Sequence, residues 1–297
     1  MKILITGSSG MIGSAISLRL NTKHHLTLTD IKSPIYHSLP TVIADLRKPI
    51  SPNLPLPAFD LIIHLAANAR VNDLVSNPQL ALDNILMIHN TLEYARVNQV
   101  PKFLFASSRE VYGNTSFLVP EWYGSQRNSL NPYTVSKLSG EAYCNAYRES
   151  YGIDTRIMRF SNVYGRFDDS NRFIPKVIQK LSKNEHFELY GDKSMDFCFL
   201  DDTVSGIATI VDNWELMTET DREFNIGSGV GHTLDTVTNT VKKLLNSTSI
   251  ITKGAKLPGE VDSFVADISR MELIFGWTPQ VTQEEGLKLA IEYYLGK

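Results

Sequence analysis

Cysteine is scarce in this chain of 297 residues, which holds only Cys144 and Cys198. Two thiols cannot make a disulfide framework, and the simplest expectation for each is a small buried apolar position. Long apolar runs are missing too: none approaches the roughly 18 residues that span a bilayer. The chain enters a strand-like KILIT at Lys2 with no leader pattern before it. An excess of charge is also lacking. With 29 basic and 32 acidic residues and a net charge of −3, nothing requires a nucleic acid or a membrane surface as partner. There is no internal repeat and no low-complexity segment. These absences predict a soluble, cytoplasmic protein in a reducing compartment, with ample apolar content for a large core.

What is present gathers between Ser107 and Lys137. An apolar run, Phe103-Leu104-Phe105-Ala106, reads as a buried parallel strand, and the ends of such strands are where open α/β sheets place their chemistry. Tyr133 and Lys137 are four apart in a segment that reads as a helix from Tyr133 to Glu149, so they share one face. A phenol ionises near pH 10, and a nearby ammonium lowers that value. A tyrosine so tuned takes a proton from a hydroxyl and returns it to a carbonyl. Ser108 stands at the preceding strand end, within reach of the same oxygen. The chemistry implied is interconversion of an alcohol and a ketone, with the hydride going elsewhere. The Tyr-x-x-x-Lys spacing by itself also fits a surface pair; its surroundings single it out.

The chain before this stretch supports that reading. Gly7-Ser8-Ser9-Gly10-Met11-Ile12-Gly13 follows the first strand and opens a helix from Met11 to about Leu20. Gly7 makes the turn, Gly10 lets backbone approach a pyrophosphate, and Gly13 lets the helix pack on the strand. A second strand, His25 to Thr29, ends at Asp30, where a carboxylate holds an adenosine ribose and favours NAD over NADP. A third, Thr41 to Ala44, ends at Asp45-Leu46. The proline-rich KPISPNLPLP is a connector. A fourth strand, Phe59 to His64, leads into Leu65-Ala66-Ala67, small enough for a dinucleotide to lie against. His64 in that apolar run reads as a core histidine. One long helix covers 78–98. Thr155 to Arg159 is a further strand, running into Phe160-Ser161-Asn162-Val163-Tyr164-Gly165. The alternation predicts an α/β fold with a Rossmann-like, doubly wound parallel sheet.

After Gly165 the texture becomes mixed. Phe173 to Leu181 reads as a helix, and Phe187 to Tyr190 and Asp196 to Leu200 as strands. Asp201-Asp202-Thr203 reads as the cap of another helix. Glu223 to Ile226 is a returning strand, and 233–246 and 282–295 are helices. The expected division is a cofactor domain of 1–165 with 201–226 returning to it, and a small mixed α/β lobe of 166–200 and 227–297. A substrate would lie between them.

These landmarks resemble the extended short-chain dehydrogenase/reductase family, the nucleotide-sugar epimerases and dehydratases. The residues that carry the resemblance are Gly7-x-x-Gly10-x-x-Gly13, Asp30, Asp45-Leu46, His64-Leu65-Ala66-Ala67, Asn84, Ser107-Ser108-x-x-Val111-Tyr112-Gly113, Tyr133-x-x-x-Lys137, Arg159-x-x-Asn162 and Phe224-Asn225-Ile226-Gly227. The resemblance implies NAD held along Gly7, Gly10, Met11, Ile12 and Gly13, by Asp30 with Ile31 and Lys32, and by Asp45 and Leu46. It extends that site over Leu65, Ala66, Ala67, Asn84, Ser107, Tyr133, Lys137 and Phe160. It implies a catalytic set of Ser108, Tyr133 and Lys137, a nucleotide-diphosphate sugar contacted by Ser108, Tyr133 and Asn162, no metal, and a homodimer built on the helices at 78–98 and 133–149.

The reaction is less legible. Dehydratases of the family carry an Asp-Glu pair where this chain has Arg109-Glu110, and an arginine cannot act as a general acid at neutral pH. Family decarboxylases keep a glutamate at the position of Glu110, which is therefore counted with the catalytic residues. They also use an arginine in the lobe, and the matching stretch, Gly259 to Asp267, contains none. A second arginine usual before Asp196-Phe197 is replaced by Met195. Arg166, Arg172, Lys176, Lys193 and Lys256 are the candidates to supply the phosphate charge, with Arg172 foremost. Arg109 beside the sugar would suit a uronate. The expectation is C4 epimerisation of a UDP-hexose or UDP-uronate. Reduction of a 4-keto sugar, decarboxylation and 4,6-dehydration are the alternatives.

Overall fold

In a computed structural model of the chain, residues 1–49, 58–124, 129–255 and 261–296 are described. The chain begins with β1 (Lys2–Thr6), α1 (Met11–Leu20), β2 (His25–Asp30), β3 (Thr41–Ile43) and β4 (Leu61–His64). Next come α2 (Val71–Ser76), α3 (Gln79–Val97), β5 (Lys102–Ser108), β6 (Leu118–Val119) and α4 (Pro132–Tyr151), then β7 (Asp154–Phe160) and β8 (Asn162–Tyr164). The rest is α5 (Phe173–Ser182), β9 (Phe187–Tyr190), β10 (Ser194–Phe199), α6 (Leu200–Asp212), β11 (Glu223–Ile226), β12 (Gly231–Thr233), α7 (Leu234–Leu244), β13 (Ile251–Gly254), β14 (Ser263–Ala266), α8 (Ser269–Phe275) and α9 (Gln283–Leu295).

Seven strands form one parallel sheet in the order β11-β7-β5-β4-β1-β2-β3. Strand alternation sends Ile3 and Ile5 to one face, into a core shared with α1 and α6, and Leu4 to the other, with Ile88, Phe103 and Phe105. With both faces covered, the strands carry the near-continuous apolar runs that made them legible. The order reverses between β1 and β4, so the loops leaving these two strands diverge and open a crevice. Helix α4 reaches the sheet closely because residue 140 is glycine: a Cβ there would stand 2.4 Å from Phe105 Cζ. That approach fixes where Tyr133 and Lys137 come to rest.

Beyond β8 lie a five-stranded sheet, β12-β10-β14-β6 with β8 paired to β10, and a two-stranded one, β13-β9. The sequence reading missed β6, β8, β12, β13, β14, α2 and α8, all short elements set by tertiary partners. It also misplaced a cap. Helix α6 starts at Leu200, so Asp201 and Asp202 lie in its first turn, where a carboxylate still favours the helix dipole. Asp202 accepts the N–H groups of Gln280 (2.9 Å) and Val281 (3.0 Å), tying α6 to the segment before α9. The proline-rich connector lies almost wholly outside the described residues. Among the described residues, no helix is long and apolar enough to cross a membrane.

Candidate active site

A cavity of about 510 Å³ runs from the glycine loop, past the end of β5, to the strands and helices beyond β8. Its walls bring together Gly7, Gly10, Met11, Ile12, Gly13, Leu65, Ala67, Ser107, Ser108, Arg109, Glu110, Tyr133, Lys137, Phe160, Asn162 and Arg172. All were expected at the site. Asp30, Ile31, Lys32, Asp45, Leu46, Ala66 and Asn84 were expected there too, but they lie outside its lining.

The reasons are local. Asp30 adjoins the loop: its carboxylate accepts the N–H of Ser9 (2.9 Å) and of Lys32 (3.0 Å). Ile31 is exposed, and the Lys32 carbonyl accepts the Ser9 hydroxyl. Asp45 is paired with Arg47 (2.8 Å), whose hydrogen bonds hold its carboxyl down at about 2. The Leu46 carbonyl accepts Asn90 Nδ2 (2.8 Å). Ala66 donates its N–H to Thr6 Oγ1. Asn84 accepts the Asn68 N–H (2.7 Å) and donates to the Asn68 carbonyl and to Ser136 Oγ, so it ties the loop after β4 to α3 and α4.

At the heart of the cavity Ser108, Tyr133 and Lys137 line its wall together. Burial holds the Tyr133 phenol up at about 12, against the lowering influence of the Ser108 hydroxyl and the Arg172 charge, with Glu110 raising it and Arg109 lowering it to a smaller extent. The sequence reading had Lys137 as the lowering charge. The structure puts Lys137 Nζ on the Ala106 carbonyl (2.7 Å), 5.6 Å from the centre of the Tyr133 ring. Burial brings the ammonium down to about 8, and Glu141 holds it up. His64 is a core residue as expected. It is buried, bonded to Thr6 Oγ1 (3.0 Å), set beside Phe103 and Phe105, and held near 3 by burial. Both cysteines are free and buried.

Arg109 and Glu110 form a buried ion pair, Nη2 to Oε1 at 2.8 Å, and Asn131 donates to the second carboxylate oxygen at 3.1 Å. Both oxygens of Glu110, counted from the sequence among the catalytic residues, are thus engaged by neighbouring side chains. Of the candidate phosphate cations, Arg172, Lys176 and Lys193 line the cavity, and Arg172 Nη2 lies 3.5 Å from the Ala69 carbonyl. Arg166 is instead bound to Asp201, and Lys256 lies outside the described residues. Arg70 also lines the cavity and was not foreseen.

The profile of the NAD dependent epimerase/dehydratase family matches residues 3–227. This chain belongs to that family. A putative UDP-glucose 4-epimerase of Methanocaldococcus jannaschii is 31% identical over 305 residues, 98% of this chain and 97% of that protein. An uncharacterized UDP-glucose epimerase of Bacillus subtilis is 29% identical over 313 residues, 99% of this chain and 98% of that one. The crystal structure of the UDP-glucose 4-epimerase of Thermotoga maritima, with UDP-glucose, superposes with a TM-score of 0.88 at 26% identity, over 100% of this chain and 99% of that one.

As a member of the epimerase/dehydratase family the protein is an enzyme that uses NAD, and its glycine loop fits that cofactor. Helix α1 has Gly10 as its N-cap residue and no side-chain cap, and Met11, Ile12 and Gly13 of its first turn line the cavity, so this helix end is available to an anionic group. Gly13 must lack a Cβ, which would stand 2.0 Å from the Gly7 carbonyl oxygen. At Gly10 a Cβ would meet only that oxygen, at 3.4 Å. The protein itself therefore leaves room there, and only a ligand would need it.

Sequence reasoning missed a buried network behind the site. Glu141 accepts Ser107 Oγ (2.6 Å), Arg159 Nε (2.8 Å) and Arg159 Nη2 (2.7 Å). Arg159 Nη1 goes on to Tyr112 Oη, which donates to Asn225 Oδ1 (2.6 Å). Arg159, Tyr112 and Asn225 were recognised as landmarks. A charged residue amid the apolar positions of β7 was the signal that they share a partner.

Proposed function

We propose that the enzyme epimerises a UDP-sugar at C4 through a 4-keto intermediate. The observation that carries this is that Ser108, Tyr133 and Lys137 line one cavity with the glycine loop, Tyr133 one helical turn from Lys137. Tyr133, as phenolate, takes the proton of the sugar's 4-hydroxyl, and Ser108 orients that hydroxyl by sharing the same oxygen. NAD, when bound, supplies the hydride acceptor and donor at C4. The keto sugar then turns its other face to the wall, and Tyr133 returns the proton to the new alkoxide. Because the proton and the hydride both return, the enzyme needs no second substrate. Arg172 opposes part of the burial that disfavours the phenolate. Lys137 anchors the strand end through Ala106 and stands where it can meet the nicotinamide ribose. Asp30 holds the adenosine ribose beside the glycine loop. Arg70, Arg172 and Lys176 supply the pyrophosphate charge that the absent lobe arginines would have given, while Met195 leaves its stretch of wall apolar.

Dehydration and decarboxylation are disfavoured by Arg109 in the acid's position and by the fully engaged Glu110. Helices α3 and α4 pack along each other and expose Leu82, Leu86 and Val135, which supports a homodimer through these helices; light scattering would give twice the chain mass. Reduced, buried cysteines fit a cytoplasmic location.

The test is mass-resolved chromatography of the purified protein mixed with UDP-glucose, UDP-N-acetylglucosamine or UDP-glucuronate, with no cofactor added. A new peak of unchanged mass is expected. Loss of water or carbon dioxide, or no product from any UDP-sugar, refutes the assignment.

A further inference from the structure

Beside Ser108 and Tyr133 one guanidinium is fixed in place. Arg109 follows β5 directly, and two of its three nitrogens are committed: Nη2 to Glu110 Oε1 at 2.8 Å, and Nε to Asn162 Oδ1 at 3.2 Å. Each anchor is itself anchored. Asn131 Nδ2 donates to Glu110 Oε2 at 3.1 Å, and Asn162 Nδ2 donates to the Asp196 carbonyl at 3.2 Å. The third nitrogen, Nη1, is buried and has no acceptor among the described residues. Arg109 borders the cavity with Ser108, Tyr133 and Asn162. A held cationic donor without a partner, on a residue that borders the cavity, is suited to receive an oxygen, and such a hydrogen bond is stronger than a neutral one.

The local charge decides which oxygen. The Glu110 side chain is 5% exposed and touches the guanidinium, so the pair is neutral as a unit. A carboxylate brought to Nη1 would share the one cation with Glu110 and leave a buried net negative charge, an expensive state. A hydroxyl or an amide carbonyl takes the same hydrogen bond without it. We propose that the Arg109–Glu110 pair selects an uncharged sugar: Arg109 Nη1 donates to a neutral sugar oxygen, and Glu110 denies the guanidinium to a uronate carboxylate. This rests on the reading of the cavity as a UDP-sugar site, and it reverses the expectation drawn from Arg109 alone, where an isolated cation suited a uronate.

The experiment measures kcat/KM for UDP-glucose, UDP-N-acetylglucosamine and UDP-glucuronate with the NAD-loaded wild type, Glu110→Gln and Arg109→Gln. Affinity for UDP is measured on each as an independent check of folding. The wild type is expected to favour a neutral sugar. Glu110→Gln frees the guanidinium from its counter-charge and should raise the uronate-to-hexose ratio by about tenfold or more. Arg109→Gln should lower turnover of the preferred neutral sugar by about 10- to 100-fold, the effect of one hydrogen bond from a charged group, with a smaller effect on the uronate. Should Glu110→Gln lose UDP binding, Arg109→Gln decides by itself. Preference of the wild type for UDP-glucuronate overturns the proposal, as does a ratio unmoved in Glu110→Gln, or a larger loss on the uronate than on the hexose in Arg109→Gln. Failure of the wild type to epimerise any of the three would remove the UDP-sugar reading beneath it, an outcome distinct from all of these.

Discussion

Replacing Glu141 by Gln removes one charge from behind the active site and leaves the shape of the side chain. Glu141 and Arg159 are 9% and 6% exposed and meet through two hydrogen bonds of 2.8 and 2.7 Å. Taking one partner from a buried pair leaves the other charge uncompensated and costs about 3–5 kcal/mol. Arg159 keeps the Tyr112 hydroxyl and the Glu121 carbonyl as acceptors, so the lower end, about 3 kcal/mol, is expected. The loss should appear in urea unfolding at neutral pH as a lower midpoint with an unchanged slope. Arg159→Met in the same assay completes a double-mutant cycle, and the double variant should lose much less than the sum of the single losses. The substitution also reaches the chemistry, because the Glu141 charge opposes the burial that lowers Lys137. In Glu141→Gln the Lys137 amine should titrate below about 8. A loss under about 1 kcal/mol, or single losses that simply add, would refute the view that this pair holds β5, α4 and β7 together.

Tyr133→Phe should lower kcat by about 10²- to 10⁴-fold, the usual worth of a positioned acid–base group, while affinity for UDP, read by calorimetry, stays within about twofold of the wild type; retained activity would remove Tyr133 from the mechanism. Gly13→Ala puts a methyl 2.0 Å from the Gly7 oxygen and should cost at least about 3 kcal/mol or prevent folding, whereas Gly10→Ala should unfold within about 1 kcal/mol of the wild type yet retain less NAD after gel filtration. Burial holds Lys137 at about 8, below its free value of 10.5, so between these pH values the unfolded chain binds one more proton than the folded one and stability rises with pH. Relative to Lys137→Met, the cofactor-stripped wild type should gain about 3 kcal/mol from pH 8 to 10.5; a constant difference across that window would show that the amine is not titrating as its burial implies.

The sequence by itself determined the parallel sheet, the glycine loop and the Ser108, Tyr133 and Lys137 set. Each of these follows from local pattern. Buried parallel strands are apolar throughout, a helix repeats every four residues, and a turn that admits no Cβ must be glycine. The short strands β6, β8, β12, β13 and β14 carry too little pattern to declare themselves, and exist because neighbours from distant parts of the chain pair with them. The roles of charged residues were likewise settled only by tertiary structure. The sequence placed Arg109 beside the sugar and Glu110 among the catalytic residues, but did not show that the two meet 2.8 Å apart as an ion pair. Asp45 and Asn84 carried family landmarks yet turned to Arg47 and to Asn68. Lys137 was expected to act directly on Tyr133, and its ammonium went to the Ala106 carbonyl. Residue type tells what a charged group can do. What it does is set by the nearest counter-charge and by how much water is excluded, and both depend on segments far apart in the chain.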